Sequence, residues 1–303
     1  MEFLKLLENI RFPLLDNFML FVTKAGEETV FIVIAMIYLW CMDKFDAYYL
    51  LFVGFCGTQL NQLLKVTFKI PRPWLRDPSL SPLKSAIPAA TGYSFPSGHT
   101  QSAVGTFGTI AVTSKKCFVK IIVVALALLV AFSRMYLGVH TPADVLVSLA
   151  IAILLTAVFG LIFKFAPKTK RTMRIIFAVL IPLFTIQAII LTFTLDISDA
   201  ELLSGLKTTY KMLGCLVGML TVYELDEKYI HFSTKAPFII QILKVVIGLG
   251  LTLAVKEICY LVFGFISFEP LSRLLAYYVM VVFAGAVWPL SFPLFEKLIK
   301  SKK

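Results

Sequence analysis

The sequence predicts an all-α membrane protein, a polytopic helix bundle with about nine transmembrane helices. Hydrophobic residues make up 59% of the 303 residues, charged residues make up only 16%, and the mean hydropathy is +0.87. Soluble proteins contain about 45–50% apolar and about 25% charged residues, so this composition excludes an ordinary soluble enzyme. The 16 Gly, 14 Pro and 5 Cys also exclude a collagen-like, a disordered and a disulfide-stapled chain.

Nine apolar stretches approach the roughly 20 residues that a helix needs to cross a bilayer. They lie near residues 28–42, 46–66, 98–114, 118–137, 142–164, 172–195, 204–223, 237–265 and 271–295. The third stretch is rich in small residues, which favours close packing inside a bundle. The longest connection, residues 68–97, is polar and rich in proline, and loops of that length usually carry function.

We expect three segments along the chain. Residues 1–27 carry charges at short intervals, so they are not a signal peptide, and we expect them to form a helix in the membrane interface. The residues of this segment expected to face lipid are Phe3, Leu4, Leu7, Phe12, Leu14 and Leu15. Residues 28–196 hold six spans and form the expected core, and residues 197–303 add a three-helix membrane extension.

The basic residues predict an orientation in the membrane. Lys and Arg number 29 against 18 Asp and Glu, a net charge of +11, and more of them fall on the side of the C-terminus. Because basic residues concentrate in cytoplasmic loops, we expect the C-terminus inside and the 68–97 loop outside. This distribution also accounts for the positive net charge, so nucleic-acid binding is not expected. No basic stripe interleaved with aromatic residues lies on a soluble segment.

Three clusters of polar residues interrupt the apolar spans, where charged side chains are costly and usually functional. Their members are Lys65 and Arg72, then Ser97, Gly98 and His99, and then Arg134, His140 and Asp144. The chain leaves spans two and four, and enters spans three and five, on the same side. The predicted topology alone therefore brings all three clusters to one face of the membrane.

These residue types suit an anion with several oxygen atoms, such as a phosphate group. Arg presents a planar fork to such oxygens, and Ser97 is expected to cap a helix start whose free N–H groups favour an anion. Thr141 and Asp144 have the spacing of a capping box, and Asp144 can also reach the imidazole of His140. Two His and an Asp could instead bind zinc, but three nearby cations would repel the metal, so we expect neither metal nor cofactor.

The patterns K-x6-R-P, P-S-G-H and S-R-x5-H-x3-D follow one another between Lys65 and Asp144. As a set they resemble the three-part signature of the type 2 phosphatidic acid phosphatase superfamily, which includes lipid phosphate phosphatases, glucose-6-phosphatases and vanadium haloperoxidases. Every fixed position of the signature matches. The resemblance covers the first six spans and says little about residues 197–303.

The resemblance implies a metal-independent membrane phosphatase and a role for each site residue. His140 is expected to be the nucleophile that forms a phosphohistidine, Asp144 its orienting partner and His99 the general acid. The residues expected to bind the phosphoryl group are Lys65, Arg72, Ser97, Gly98 and Arg134.

A site at the membrane face favours a lipid phosphate or diphosphate as the substrate, such as undecaprenyl diphosphate, phosphatidate, phosphatidylglycerophosphate or a sphingoid phosphate. The alternatives are a soluble phosphoester, as in glucose-6-phosphatases, and transfer of phosphate between lipids. A transporter is the alternative from another class of protein. The residues that could then line a path are Lys211, Lys244, Lys256 and Glu257, although snorkelling or internal pairing is the favoured interpretation. In a phosphatase, Lys207, Lys211 and Lys256 could instead contact a substrate head group or close a lateral entrance.

The short loops and the absence of N-glycosylation sequons favour a bacterial plasma membrane, with the active site on the extracytoplasmic side. The endoplasmic reticulum is the alternative location. The expected partners are membrane lipids and the lipid substrate, and the sequence indicates no oligomeric state.

Overall fold

The structure of the protein, a computed structural model, describes residues 1–166 and 169–295. These residues form helices and connecting loops, with no β-strand among them. The helices are α1 (Glu2–Asn9), α2 (Pro13–Lys24), α3 (Glu28–Cys41), α4 (Lys44–Phe68), α5 (Pro73–Arg76), α6 (Gly98–Thr113), α7 (Cys117–Tyr136), α8 (Pro142–Phe165), α9 (Lys170–Thr194), α10 (Ala200–Leu225), α11 (Phe238–Val262) and α12 (Glu269–Val282). Helix α12 continues through a π turn, Phe283–Val287, and a 3₁₀ turn, Trp288–Ser291.

Five helical segments of the described chain are long and apolar enough to cross a bilayer. They are α7, α8, α9, α11 and the segment Glu269–Phe295, and α3 is a shorter apolar helix. The expected spans at 46–66, 98–114 and 204–223 do form helices α4, α6 and α10, but these fall outside that group. Helix α4, for example, carries polar residues such as Asn61 and Lys65. The all-helical membrane bundle is confirmed, whereas the count of nine spans is not.

The described chain divides into two compact units. The first comprises Met1–Ile32, Tyr49–Phe165 and Asp196–Gly205, and it contains all three polar clusters. The second comprises the described residues of Val33–Tyr48, Ala166–Leu195 and Leu206–Lys303. The sequence-based division at residues 27 and 196 stays a prediction.

In the first unit, α6 packs closely against its neighbours because its glycines leave room. A Cβ added at Gly105 would lie 3.2 Å from Val53 of α4, and one added at Gly108 would lie 3.4 Å from Thr156 of α8. The predicted close packing of this helix is therefore confirmed. Helices α4 and α8 also meet directly, since the rings of Phe52 and Phe159 stack with their centroids 5.6 Å apart.

The N-terminal helices belong to the first unit and pack against α7. Leu4 and Leu7 are buried there, so the expectation that they face lipid is wrong, whereas Phe12 and Leu14 are exposed. The reason is that α1 is amphipathic, and residues three apart on one face turn together toward the protein. The interfacial location of residues 1–27 stays a prediction.

In the second unit, the lysines that the sequence singled out have partners of their own. The pairs are Lys207 with Glu269, Lys211 over the ring of Tyr277, and Lys256 with Glu257. These contacts favour internal pairing of the three lysines. Their proposed contact with a substrate head group stays a prediction.

Candidate active site

The carboxylate of Asp144 is held at the first turn of α8 by two hydrogen bonds. Its Oδ2 accepts hydrogen bonds from the hydroxyl of Ser94 at 2.5 Å and from the backbone N–H of Thr141 at 2.8 Å. The hydroxyl of Thr141 accepts in return from the Asp144 backbone N–H at 3.3 Å, which is the predicted capping box. The same Oδ2 lies 3.4 Å from Nδ1 of His140. The cap that starts the helix therefore also places the carboxylate beside the imidazole.

Arg72 joins the 68–97 loop to His140. Its Nε donates to the backbone oxygen of Gly92 at 2.9 Å, and its Nη2 donates to that of Thr91. Its Nη1 lies 3.1 Å from the backbone oxygen of Val139 and 2.9 Å from Nε2 of His140. Guanidinium can only donate, so Nε2 is the accepting nitrogen of the ring and the proton of the neutral imidazole is on Nδ1, toward Asp144.

Both groups have pKa values that suit this arrangement. Burial lowers the pKa of Arg72 to about 10, so its guanidinium remains charged at neutral pH. Burial, together with the nearby Arg72, lowers the pKa of His140 well below its usual range. The structure therefore favours a cationic Arg72 beside a neutral His140.

Lys65 supplies a second cation, at the C-terminal end of α4. Its side chain is buried, and Nζ donates to the backbone oxygen of Tyr93 at 2.7 Å. Tyr93 follows directly on the two residues whose carbonyls bind Arg72. Lys65 and Arg72, seven residues apart in sequence, therefore bind adjacent peptide groups of one loop.

Arg134, near the end of α7, is the third cation and has unused donors. The residue is only 1% exposed, and its Nη1 donates to the hydroxyl of Thr23 at 2.7 Å. Its Nε and Nη2 are buried and find no hydrogen-bond partner within residues 1–166 and 169–295. The backbone oxygen of Arg134 accepts from the N–H of His140 at 3.2 Å, which ties the two residues together. Unpaired buried guanidinium N–H groups are costly, so they mark a place for an anion.

The start of α6 completes the site. Ser97 caps the helix as predicted, since its hydroxyl accepts from the N–H of Thr100, and its own N–H donates to the backbone oxygen of Asp144 at 3.1 Å. The space beside Gly98 is open, because an added Cβ would meet only Asn61 Oδ1, at 4.0 Å. Nε2 of His99 is buried without a hydrogen-bond partner in the described part of the chain.

All eight site residues predicted from the sequence thus lie in the first unit. Direct contacts link Arg72, His140, Asp144, Ser97 and Arg134, whereas Gly98 and His99 follow Ser97 in the chain. Lys65 joins them through the backbone of Tyr93.

Among the side chains that sequence reasoning missed are Ser94 and Thr23, which bind the side chains of Asp144 and Arg134. Ser94 lies only two residues before Pro96, but nothing in the sequence pairs it with Asp144. Thr23 lies in the N-terminal segment, 111 positions before Arg134, and no motif identifies it.

Within the described ranges, no three side chains of His, Cys, Asp or Glu are placed so that they could hold a metal ion together. The site instead combines two imidazoles and one carboxylate with three cations, a set that suits an anion better than a metal ion. Operation without a metal stays a prediction.

Two family models match the chain. The model of the PAP2 superfamily matches residues 46–170, which include all eight predicted site residues. The model described as the transmembrane extension of PAP2 superfamily phosphatases matches residues 210–301, in the C-terminal part of the chain.

Three curated relatives of the chain are named as phosphatases. Undecaprenyl-diphosphatase BcrC of Bacillus subtilis is 30% identical over 147 residues, which are 48% of this chain and 73% of the relative. An undecaprenyl-diphosphatase of Sulfolobus acidocaldarius is 30% identical over 146 residues, 48% of this chain and 69% of the relative. Phosphatidylglycerophosphatase B of Bacillus subtilis is 30% identical over 175 residues, 54% of this chain and 80% of the relative.

Proposed function

The chain belongs to the membrane lipid phosphatases of the PAP2 superfamily, and we propose that it hydrolyses a lipid phosphate or diphosphate without a metal. The reaction passes through a phosphohistidine on His140, at the extracytoplasmic face of a bacterial plasma membrane. The observation that carries the proposal is the position of the His140 imidazole between Asp144 and Arg72.

In the first step, the lone pair on Nε2 of His140 attacks phosphorus. The N–P bond forms while the bond from phosphorus to the leaving oxygen breaks, and the protonated form of His99 transfers a proton to that oxygen and becomes neutral. Asp144 stabilises the positive charge that the His140 ring acquires, because its carboxylate faces Nδ1. With a monophosphate ester the leaving group is an alcohol, and with a diphosphate it is a lipid monophosphate.

In the second step, His99 accepts a proton from water, and the resulting hydroxide attacks phosphorus. The N–P bond breaks, inorganic phosphate leaves, and His140 is neutral again once the Nε2 lone pair returns. Nε2 of His99 is buried and has no partner within the described ranges, which supports its use for a transferred proton. One imidazole thus serves as acid in the first step and as base in the second.

The charge that develops on the phosphoryl oxygens is stabilised by the cations and by the start of α6. Arg134 contributes the N–H groups of its unpaired Nε and Nη2, and Arg72 and Lys65 contribute positive charge from the loop side. The hydroxyl of Ser97 and the backbone N–H of Gly98 add donors at the positive end of the helix dipole. Donors that are already in place need little reorganisation during the reaction.

The substrate is proposed to be a lipid because two relatives are named undecaprenyl-diphosphatases and a third is named a phosphatidylglycerophosphatase. Undecaprenyl diphosphate and phosphatidylglycerophosphate are therefore the first substrates to test, followed by phosphatidate and a sphingoid phosphate. Glucose 6-phosphate represents the soluble alternative. Transfer of labelled phosphate from one lipid to another would indicate phosphotransfer instead of hydrolysis.

The experiment measures phosphate release by the full chain in detergent, for each of these substrates. His140→Asn is compared with His231→Asn, which changes an exposed histidine with a left-handed backbone that Asn tolerates. We expect the first variant to lose activity and the second to keep it. Full activity of a folded His140→Asn protein would refute the assignment of the nucleophile, and release from glucose 6-phosphate alone would refute the lipid substrate.

A further inference from the structure

The N-terminal helices α1 and α2 lie outside the residues that the PAP2 model matches, yet they contact the helix that carries Arg134. Polar contacts hold them there. Arg11 donates to the backbone oxygen of Tyr136 through Nε at 3.0 Å and through Nη2 at 2.8 Å. Asp16 accepts from the hydroxyl of the same tyrosine at 2.7 Å. These contacts fix α2 against the last turn of α7, two residues from Arg134.

Thr23, in the last turn of α2, contacts Arg134 directly. Its hydroxyl accepts from Nη1 at 2.7 Å, and both side chains are buried. A guanidinium is a rigid planar fork, so fixing Nη1 also fixes the directions of Nε and Nη2. Those two groups are the donors of Arg134 that find no partner elsewhere in the described chain.

Just beyond α2, the chain also approaches the backbone of the second histidine of the site. A Cβ added at Gly26 would lie 2.8 Å from the backbone oxygen of His99 and 2.9 Å from Cγ1 of Val130. Only glycine permits such an approach without displacing the neighbours. The segment from Thr23 to Gly26 thus contacts the residues on two helices that flank the site, α6 and α7.

We infer that the N-terminal helix pair is a positioning element of the active site, in which Thr23 orients the guanidinium of Arg134 toward the phosphoryl group. This inference rests on the proposed function and deepens it. Thr23 is a positioning residue and touches no substrate, because it acts through Arg134. Its removal should therefore weaken both phosphate binding and the stabilisation of the transition state.

The test compares three single variants of the full chain in detergent. Thr23→Val keeps the shape of the side chain but removes the hydroxyl, and Thr23→Ser restores it. Thr109→Val is the matched control, because Thr109 is also buried in the first unit and donates to the backbone oxygen of Gly105 in its own helix at 2.8 Å. The readouts are kcat and KM for lipid phosphate, and the affinity for inorganic phosphate measured from thermal stabilisation.

We expect Thr23→Val to lower kcat/KM by about ten- to a hundredfold and to weaken binding of inorganic phosphate, as for loss of a hydrogen bond to a charged group. Thr23→Ser should recover most of both, and Thr109→Val should change neither. In an Arg134→Ala background, Thr23→Val should have little further effect, because residues that act through one another are not additive.

Unchanged kcat/KM and unchanged phosphate affinity in a folded Thr23→Val protein would overturn the inference. So would an equal loss in the Arg134→Ala background, since Thr23 would then act by another route. If the wild type binds phosphate but hydrolyses none of the lipids, the proposed function fails while the binding comparison still decides the role of Thr23. A wild-type protein that neither binds phosphate nor hydrolyses any of the lipids would overturn both this inference and the proposed function.

Discussion

Nη1 of Arg72 donates a hydrogen bond to Nε2 of His140, at 2.9 Å. Because arginine cannot accept, this contact holds the neutral imidazole in the tautomer whose lone pair is on Nε2. A residue proposed to bind the phosphoryl group therefore also selects the protonation state of the proposed nucleophile. In the proposed reaction, Arg72 keeps its proton, and the hydrogen bond from Nη1 changes acceptor from Nε2 of His140 to a phosphoryl oxygen as the N–P bond forms.

Arg72→Lys should lower kcat/KM by about a hundredfold or more, as for loss of a preorganised donor. A lysine ammonium is a single point charge and cannot bind the carbonyls of Thr91, Gly92 and Val139 while also donating to His140. Steady-state kinetics with the preferred lipid phosphate would measure the effect.

Arg174→Lys is the matched control for that substitution. Arg174 forms a two-bond pair with Glu224, is exposed, and belongs to the second unit. The control should keep wild-type kinetics, since exposed ion pairs contribute little to stability. Equal activity of Arg72→Lys and Arg174→Lys would mean that a positive charge alone suffices at position 72.

Ser94→Ala should lower kcat about tenfold, because it removes a hydrogen bond to the charged Asp144 carboxylate. Without that bond the carboxylate is free to turn away from Nδ1 of His140, so chemistry should suffer more than substrate binding. A change in KM comparable to the change in kcat would contradict this role.

Ser148→Ala provides the comparison for Ser94. Ser148 is also buried and also donates to Asp144, but to its backbone oxygen within α8, at 2.9 Å. Each substitution removes one hydroxyl bound to the same residue, and only Ser94 binds the carboxylate. Kinetics of Ser148→Ala should therefore stay close to those of the wild type.

The stability of the protein should depend on the protonation of His140. Burial lowers the pKa of His140 in the folded state, whereas in the unfolded chain it is about 6.5. Above that pH the imidazole is neutral in both states. Below about pH 6.5 the unfolded chain binds a proton that the folded protein does not, so stability falls as pH falls.

Thermal unfolding in detergent between pH 7.5 and 5.5 would measure this dependence. We expect the Tm of the wild type to drop more than that of His140→Asn, because the variant lacks the titrating group. The exposed His231 again provides the control, since His231→Asn should follow the wild type. Identical pH dependence in wild type and His140→Asn would show that His140 is not buried as a neutral group.

Local signals in the sequence predicted the parts of the site that depend on local structure. The cap at Ser97 and the capping box at Thr141 are formed as expected, because each needs only residues three positions apart. The burial of Leu4 and Leu7 was not predicted. An amphipathic helix can turn its apolar face toward lipid or toward protein, and its sequence pattern is the same in both cases.

The sequence by itself determined the membrane class, the family resemblance and the eight candidate site residues, because each is expressed in composition or in short spacings. Only the tertiary structure decided which side chains hold the site residues in place. Ser94 meets Asp144 across 50 positions, and Thr23 meets Arg134 across 111. Such contacts depend on how distant helices pack, and a buried polar group accepts whatever partner that packing brings within hydrogen-bond distance.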